Sequence, residues 1–358
     1  MAFSNLFATC NIPVAFRGST RFFRLSSSRR RLLYPDCRFN RPPQTTYRWF
    51  ARLTTGGSSA TGPEDALVFE HYVAGKVSRI NKALELAVPL RHPLRIHESM
   101  RYTLLGHGKR VPGIMCLVSC ELVGGDESWA MPAACAMEMV HAMSLIYDDL
   151  PCLDDDDLRR GKPTNHRAFD EGTALLAGEA LLALVFELMA GMEEVPASRV
   201  VRAMLELGQA AGSEGMAAGE IMDKLSEGRE DISLEELEYI HKHKSSIGRA
   251  ATVCGAIIGG ANEDEIERLR EFGTKVGLLY QVIDDVLDVT RTSKELGKDA
   301  GSDLAKDKAT FPKFMGIEGA KKYAFRLLDE ILLKLSYFND ERAAPPRRLA
   351  SFFVNRQK

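Results

Sequence analysis

His141-Ala142-Met143-Ser144-Leu145-Ile146-Tyr147-Asp148-Asp149-Leu150-Pro151-Cys152-Leu153-Asp154-Asp155-Asp156-Asp157-Leu158-Arg159-Arg160 is the stretch on which the reading of the chain turns. An apolar helical run breaks off at Asp148 and Asp149. A Leu-Pro-Cys-Leu insert follows, then the carboxylates Asp154 to Asp157, then two arginines. Six aspartates so close together repel one another, and each raises its neighbours' pKa unless cations neutralise them. Hard oxygen ligands suit Mg²⁺, which keeps some of its waters and shares its remaining positions with substrate phosphates. A lone charge run reads as a solvated loop. Two features count against that here: the aspartates follow directly on a long apolar segment, and the chain carries a second acidic cluster.

That cluster is Tyr280-Gln281-Val282-Ile283-Asp284-Asp285-Val286-Leu287-Asp288. Asp284 and Asp288 are four residues apart and share a helical face with Gln281, while Val282, Ile283, Val286 and Leu287 turn towards a core. Like charges at that spacing are destabilising unless compensated. Two acidic sites, each closing an apolar helix, suggest a paired metal trap for a diphosphate.

With both clusters in view the chain resembles the trans-isoprenyl diphosphate synthases, most closely the plant geranylgeranyl diphosphate synthases. Asp148, Asp149 and Asp154 match the family's DDxxxxD, and Asp284, Asp285 and Asp288 its DDxxD. Arg159 to His166, His243-Lys244-Ser245, Glu295 to Lys298 and Asp307-Lys308 fall at the expected intervals, and the likeness runs from about Pro89 to the C-terminus. The resemblance implies an all-α isoprenoid synthase bundle around a central cavity. It implies that Asp148, Asp154 and Asp284 hold Mg²⁺ (or Mn²⁺), with Asp149, Asp285 and Asp288 as further ligands or their partners. Arg159, Lys244, Gln281, Lys298 and Lys308 would hold the allylic diphosphate. Ser245 stands for the family's threonine and keeps a hydroxyl that could shield a carbocation. Lys109, His141 and Arg160 would form a metal-free site for isopentenyl diphosphate. Read alone, His141 is better taken as a core histidine, and each lysine as a surface residue.

Besides Ser245, the chain departs from the family in two places. Gly108-Lys109-Arg110-Val111-Pro112-Gly113 replaces Gly-Lys-x-x-Arg-Pro, so proline stands where an anion-binding arginine belongs. Proline offers no charge-assisted bond to phosphate and fits only in the first turn of a helix starting there. Tyr147 replaces a histidine. Cys116 and Cys120 form a CxxxC, which in plant homologues pairs related subunits; small core hydrophobes are the equal alternative.

Outward from the motifs, 358 residues with 45% hydrophobic content permit one large domain plus an extension. A net charge of −2 argues against a general nucleic-acid binder. Seven cysteines without a tight repeat do not make a disulfide framework, and their spacing supplies no paired zinc ligands. Residues 1–52 hold ten arginines and a single acid, Asp36, which is the composition of an organellar transit peptide. Plastid is the first choice and mitochondrion the alternative. Residues 53–62 read as a flexible linker, leaving 63–358 as the synthase domain. The longest apolar candidate, Leu175 to Met192, is broken by Glu179 and Glu187 and reads as a buried core helix rather than a membrane span.

Apolar spacing predicts helices over Glu64–Val88, Arg95–Leu105, Met131–Tyr147, Thr173–Met192, Arg199–Ala210, Leu234–Gly255, Asp264–Val289 and Ala320–Leu335. Ser233 reads as an N-cap. The expected activity is condensation of isopentenyl diphosphate with dimethylallyl, geranyl and farnesyl diphosphates to geranylgeranyl diphosphate. By the resemblance, Met143 and Ser144 face the tunnel for the growing chain. The expected assembly is a homodimer, or a heteromer with a related subunit through Cys116 and Cys120. A weakly active or regulatory subunit is the alternative; a class I terpene cyclase would have no use for the second motif or the second anion site.

Overall fold

A computed structural model describes residues 63–296 and 301–356; Lys298 and the expected leader and linker lie outside them. The described residues are helical almost throughout, in the order α1 (Pro63–Ala87), α2 (Leu94–Leu104), α3 (Val111–Leu122), α4 (Glu127–Asp148), α5 (Asn165–Ala168), α6 (Glu171–Ala190), α7 (Ala197–Ala211) and α8 (Met216–Ser226). Then come α9 (Leu234–Lys244), α10 (Ser246–Gly259), α11 (Glu263–Thr290), the short α12 (Ser293–Leu296) and α13 (Ser302–Ala305), α14 (Phe311–Leu335) and α15 (Asp340–Asn355). Between α4 and α5 sits a hairpin of β1 (Leu158–Arg159) and β2 (Lys162–Pro163), pairing Leu158 with Pro163 and Arg159 with Lys162. Its two turn residues, Arg160 and Gly161, both have positive φ, 56° and 74°, as a two-residue turn of this hand requires.

Local chemistry explains the helix starts. Ser233 Oγ accepts the Glu236 amide, as expected, and Asp126 and Asp170 accept Ser128 and Thr173 amides at the heads of α4 and α6. Asn262 and Glu265 make a reciprocal capping box at α11. Pro112 lies in the first turn of α3, where its missing N–H leaves no bond unmade.

Helix α10 is the axis of the bundle. Twelve of its fourteen residues are buried, because it packs against α3, α4, α7 and α11 and so must be apolar or small on every side. The expected single helix over Leu234–Gly255 is two helices, broken at Ser245. Helices α8 and α15 were not expected; the paired prolines Pro345 and Pro346 disguised the latter.

Helix α6 corrects a second expectation. Leu181, Val185 and Leu188 are buried, yet Leu175, Leu176 and Phe186 on its other side are exposed. Among the described residues two helices, α4 and α6, are long and apolar enough to cross a membrane by length and composition; within this bundle 72% and 39% of those windows are buried.

Candidate active site

The first acidic motif is a closed loop. Helix α4 ends at Asp148, and the Asp154 amide donates back to the Asp148 carbonyl at 2.9 Å, so the four-residue insert folds Asp154 beside Asp148. Arg159, on β1, binds Asp149 Oδ1 through Nε at 2.6 Å and Asp148 Oδ2 through a terminal nitrogen at 3.0 Å. Asp149 is buried behind that guanidinium. Burial raises its pKa to about 6 against the opposing pull of Arg159.

Helix α8 supplies two acids that sequence reasoning missed, Glu220 and Asp223. Asp148, Asp154 and Glu220 each place a carboxylate oxygen within 4.8 Å of the others. Asp223 sits between two lysines, 2.6 Å from Lys244 Nζ and 3.1 Å from Lys308 Nζ. Burial opposes its ionisation, but the two ammonium groups outweigh that and hold its pKa at about 2. Lys308 also lies 3.0 Å from Asp154, and Lys244 is 3.1 Å from Glu220. Glu220 and Asp223 share a face by their i,i+3 spacing, and only the failure to recognise α8 hid them. Gly219 lets α8 come this close: a Cβ there would collide with the Lys244 backbone nitrogen.

The second motif divides its work. Asp284 and Gln281 face the cavity, and Asp284 meets the Arg356 guanidinium at 2.6 Å, a residue that sequence reasoning missed. Arg356 also donates to the Tyr280 carbonyl and stacks over the Tyr280 ring at 3.6 Å. Asp285 is buried, accepting from His241 Nε2 and the Phe311 amide, each at 2.9 Å. It thus joins α9, α11 and the head of α14, and so braces the part of the cavity lining to which it and His241 belong. Asp288 is buried beneath the segment leading into α13, whose Gly301 amide donates to its carbonyl. The face defined by the four-residue spacing is the expected one, but α13 roofs its far end.

Lys109, Arg110, His141 and Arg160 line one wall of the same cavity, whose volume is about 1490 Å³. His141 is kept neutral, its pKa about 3, first by burial and then by Arg160, Arg159 and Arg110. Arg110 is already engaged, bonding Asn81, the Gly106 carbonyl and Glu138. Glu138 also accepts the Gly113 amide at 2.9 Å. Ser245 Oγ donates to the His241 carbonyl at 2.7 Å, which commits its hydrogen and leaves the oxygen lone pairs. Met143, Ser144 and Tyr147 line the cavity from α4, with Tyr147 seated on Gly178 of α6. Cys116 and Cys120 are both fully buried, so the core alternative describes them and neither is placed at the surface to meet a partner.

These donors suit a hard divalent cation. The oxygens are carboxylates, and Glu220 Oε1 is buried without a hydrogen-bond donor.

Residues 93–342 match the polyprenyl synthetase family. The chain is 54% identical over 295 residues to the heterodimeric geranylgeranyl pyrophosphate synthase large subunit 1, chloroplastic, of Arabidopsis thaliana, covering 81% of this chain and 80% of that one. It is 53% identical over 290 residues to the chloroplastic geranylgeranyl pyrophosphate synthase of Catharanthus roseus, covering 80% and 81%. Among solved structures, a Helicobacter pylori geranyltransferase complexed with magnesium and isoprenyl diphosphate is similar at TM-score 0.70 and 29% identity, covering 82% of this chain and 98% of that one.

Proposed function

Because the chain belongs to the polyprenyl synthetase family, we propose a division of labour among its residues for a prenyltransferase that condenses isopentenyl diphosphate with allylic diphosphates to geranylgeranyl diphosphate. One observation carries the reading. Around a single large cavity, carboxylates and lysines interlock on one side, and a separate cationic wall stands on the other.

On the first side, Lys244 and Lys308 hold the allylic diphosphate, exchanging Asp154 and Asp223 for phosphate oxygens, with Arg159, Gln281 and Lys298 as further partners. Asp148, Asp154 and Asp284 would hold Mg²⁺, or Mn²⁺ in its place, which would supply Lewis acidity to the leaving diphosphate. As the allylic C–O bond breaks, the Ser245 oxygen and the carbonyl end of α9 face the developing carbocation, the negative end of a helix dipole favouring positive charge. On the other wall, Lys109 and Arg160 bind isopentenyl diphosphate by charge, and neutral His141 offers a single N–H. Asp149, Asp285 and Asp288 hold these groups in place.

The expected setting is a plastid, entered by a transit peptide over residues 1–52 with a linker to 62, in line with the chloroplastic relatives. The assembly proposed is a homodimer. The heterodimeric Arabidopsis relative favours a second reading, in which the chain works beside a related subunit.

The test is turnover of labelled isopentenyl diphosphate with each allylic primer. A twenty-carbon product formed by the chain alone, and lost in EDTA, is expected. Turnover only after a catalytic homologue is added would replace the enzyme reading with the subunit one.

A further inference from the structure

We propose that Glu220 is a third carboxylate ligand of the cation bound by Asp148 and Asp154, so that α8 completes the first metal position before any diphosphate arrives. The inference rests on the reading of that cluster as a divalent-cation site and adds a residue that neither aspartate motif contains.

Three observations converge. The ligand oxygens of Asp148, Asp154 and Glu220 lie within 4.8 Å of one another. Oxygens sharing one octahedral cation at about 2.1 Å stand about 3 Å apart when adjacent and about 4 Å when opposite, so a small inward movement suffices. Next, the two oxygens of Glu220 are treated differently. Oε2 is anchored by Lys244 at 3.1 Å, which fixes the carboxylate, whereas Oε1 is buried and accepts no hydrogen bond. A buried carboxylate oxygen without a donor is costly, and a cation is the partner that removes the cost. Finally, Asp223 on the same helical face serves as a contrast. It binds both Lys244 and Lys308, so its charge is already answered by protein cations.

The consequence is mechanical as well as electrostatic. A cation bridging Asp148 at the end of α4, Asp154 in the loop and Glu220 on α8 would tie three separately positioned elements together. It would also leave Lys244 beside the metal, its ammonium poised to meet an arriving diphosphate.

The test uses the full chain and Mn²⁺ alone, without diphosphate, with bound Mn²⁺ read from the loss of its free paramagnetic resonance signal. Wild-type protein is expected to bind, and Glu220→Gln to weaken binding by about ten- to a hundredfold, at least what loss of a ligand's supporting partner costs. Glu220→Asp, which keeps the charge but shortens the reach, should fall between. Glu214→Gln removes an exposed charge just before α8 and should bind as wild type. Circular dichroism and thermal unfolding without metal report whether each variant is folded. Wild-type Mn²⁺ affinity in both Glu220 variants, or an equal loss in Glu214→Gln, would overturn the proposal. Prenyl transfer by the wild type at saturating Mg²⁺ is measured separately. Its absence would sink the functional reading while the Mn²⁺ titration still decides Glu220.

Discussion

His141 illustrates how a wall of guanidinium groups acts on an imidazole. Its folded pKa of about 3 lies below the unfolded value near 6.5. The unfolded chain therefore takes up a proton that the folded chain refuses. The stability associated with His141 is complete above about pH 6.5 and is lost as pH falls towards 3, by up to about 1.4 kcal/mol per unit. Urea midpoints at pH 7 and pH 5 should differ more for the wild type than for His141→Gln; equal differences would refute the buried-neutral assignment. Pro112 poses the second residue-scale question. It lines the same cavity, and Arg110 nearby is committed to Asn81, Gly106 and Glu138. The cationic wall thus lacks the charge that the family's arginine would add at this position. Pro112→Arg should lower KM for isopentenyl diphosphate about tenfold or more, a charge-assisted phosphate contact being worth about 1.5–3 kcal/mol, while KM for farnesyl diphosphate stays nearly constant. An unchanged KM for isopentenyl diphosphate would show that the wall is already complete.

Among the elements, the approach of α8 to α9 matters most to the chemistry, because it brings Glu220 and Asp223 to Lys244. That approach depends on the absence of a side chain at Gly219. The atom a Cβ would strike is backbone, so rotation of a side chain cannot relieve it. Gly219→Ala should therefore push the helices apart and cost about 1–3 kcal/mol of stability, as overpacking does. Thermal unfolding measures that cost. Mn²⁺ titration of the same variant should show weaker binding, since α8 would carry Glu220 away from Asp148. A variant as stable as wild type would mean that α8 can shift along α9 at little cost. The break between α9 and α10 has a similar logic. Ser245 ends one helix so that Lys244 can turn into the cavity, while Ser246 starts another helix that is buried on all sides.

At the scale of the whole molecule, the apolar outer side of α6 needs a partner more than a solvent. Leu175, Leu176 and Phe186 on α6, with Val201 and Leu205 on α7, are each more than two-fifths exposed. Such clustering on neighbouring helices is unusual for a surface that stays in water, and it is where the proposed homodimer is expected to form. Leu176→Lys combined with Leu205→Lys should give a monomer in sedimentation equilibrium with unchanged helicity. A dimer that survives would place the interface elsewhere. Residues 1–62 are expected to be dispensable: a chain beginning at Pro63 should keep both its helical circular dichroism and its prenyl transfer. Loss of either would end the transit-peptide reading.

The sequence by itself determined the helical class, most helix positions, and both acidic motifs, with Arg159 and Lys308 beside the first. Those features are periodic or local: apolar spacing needs only one helix to be seen, and DDxxxxD needs only seven residues. Tertiary structure decided everything that depends on which helix lies beside which. It sent Asp285 to His241 and the head of α14, and placed Asp288 under the segment leading into α13. It engaged Arg110 in the interior and buried Cys116 and Cys120 in the core. It also brought Glu220 from α8 to Asp148 and Asp154, 72 and 66 residues away, Asp223 to Lys308, 85 residues away, and Arg356 from beyond α15 to Asp284, 72 residues away. No spacing rule spans such distances. Burial and the pairing of opposite charges act through space, and they are settled only when the bundle closes.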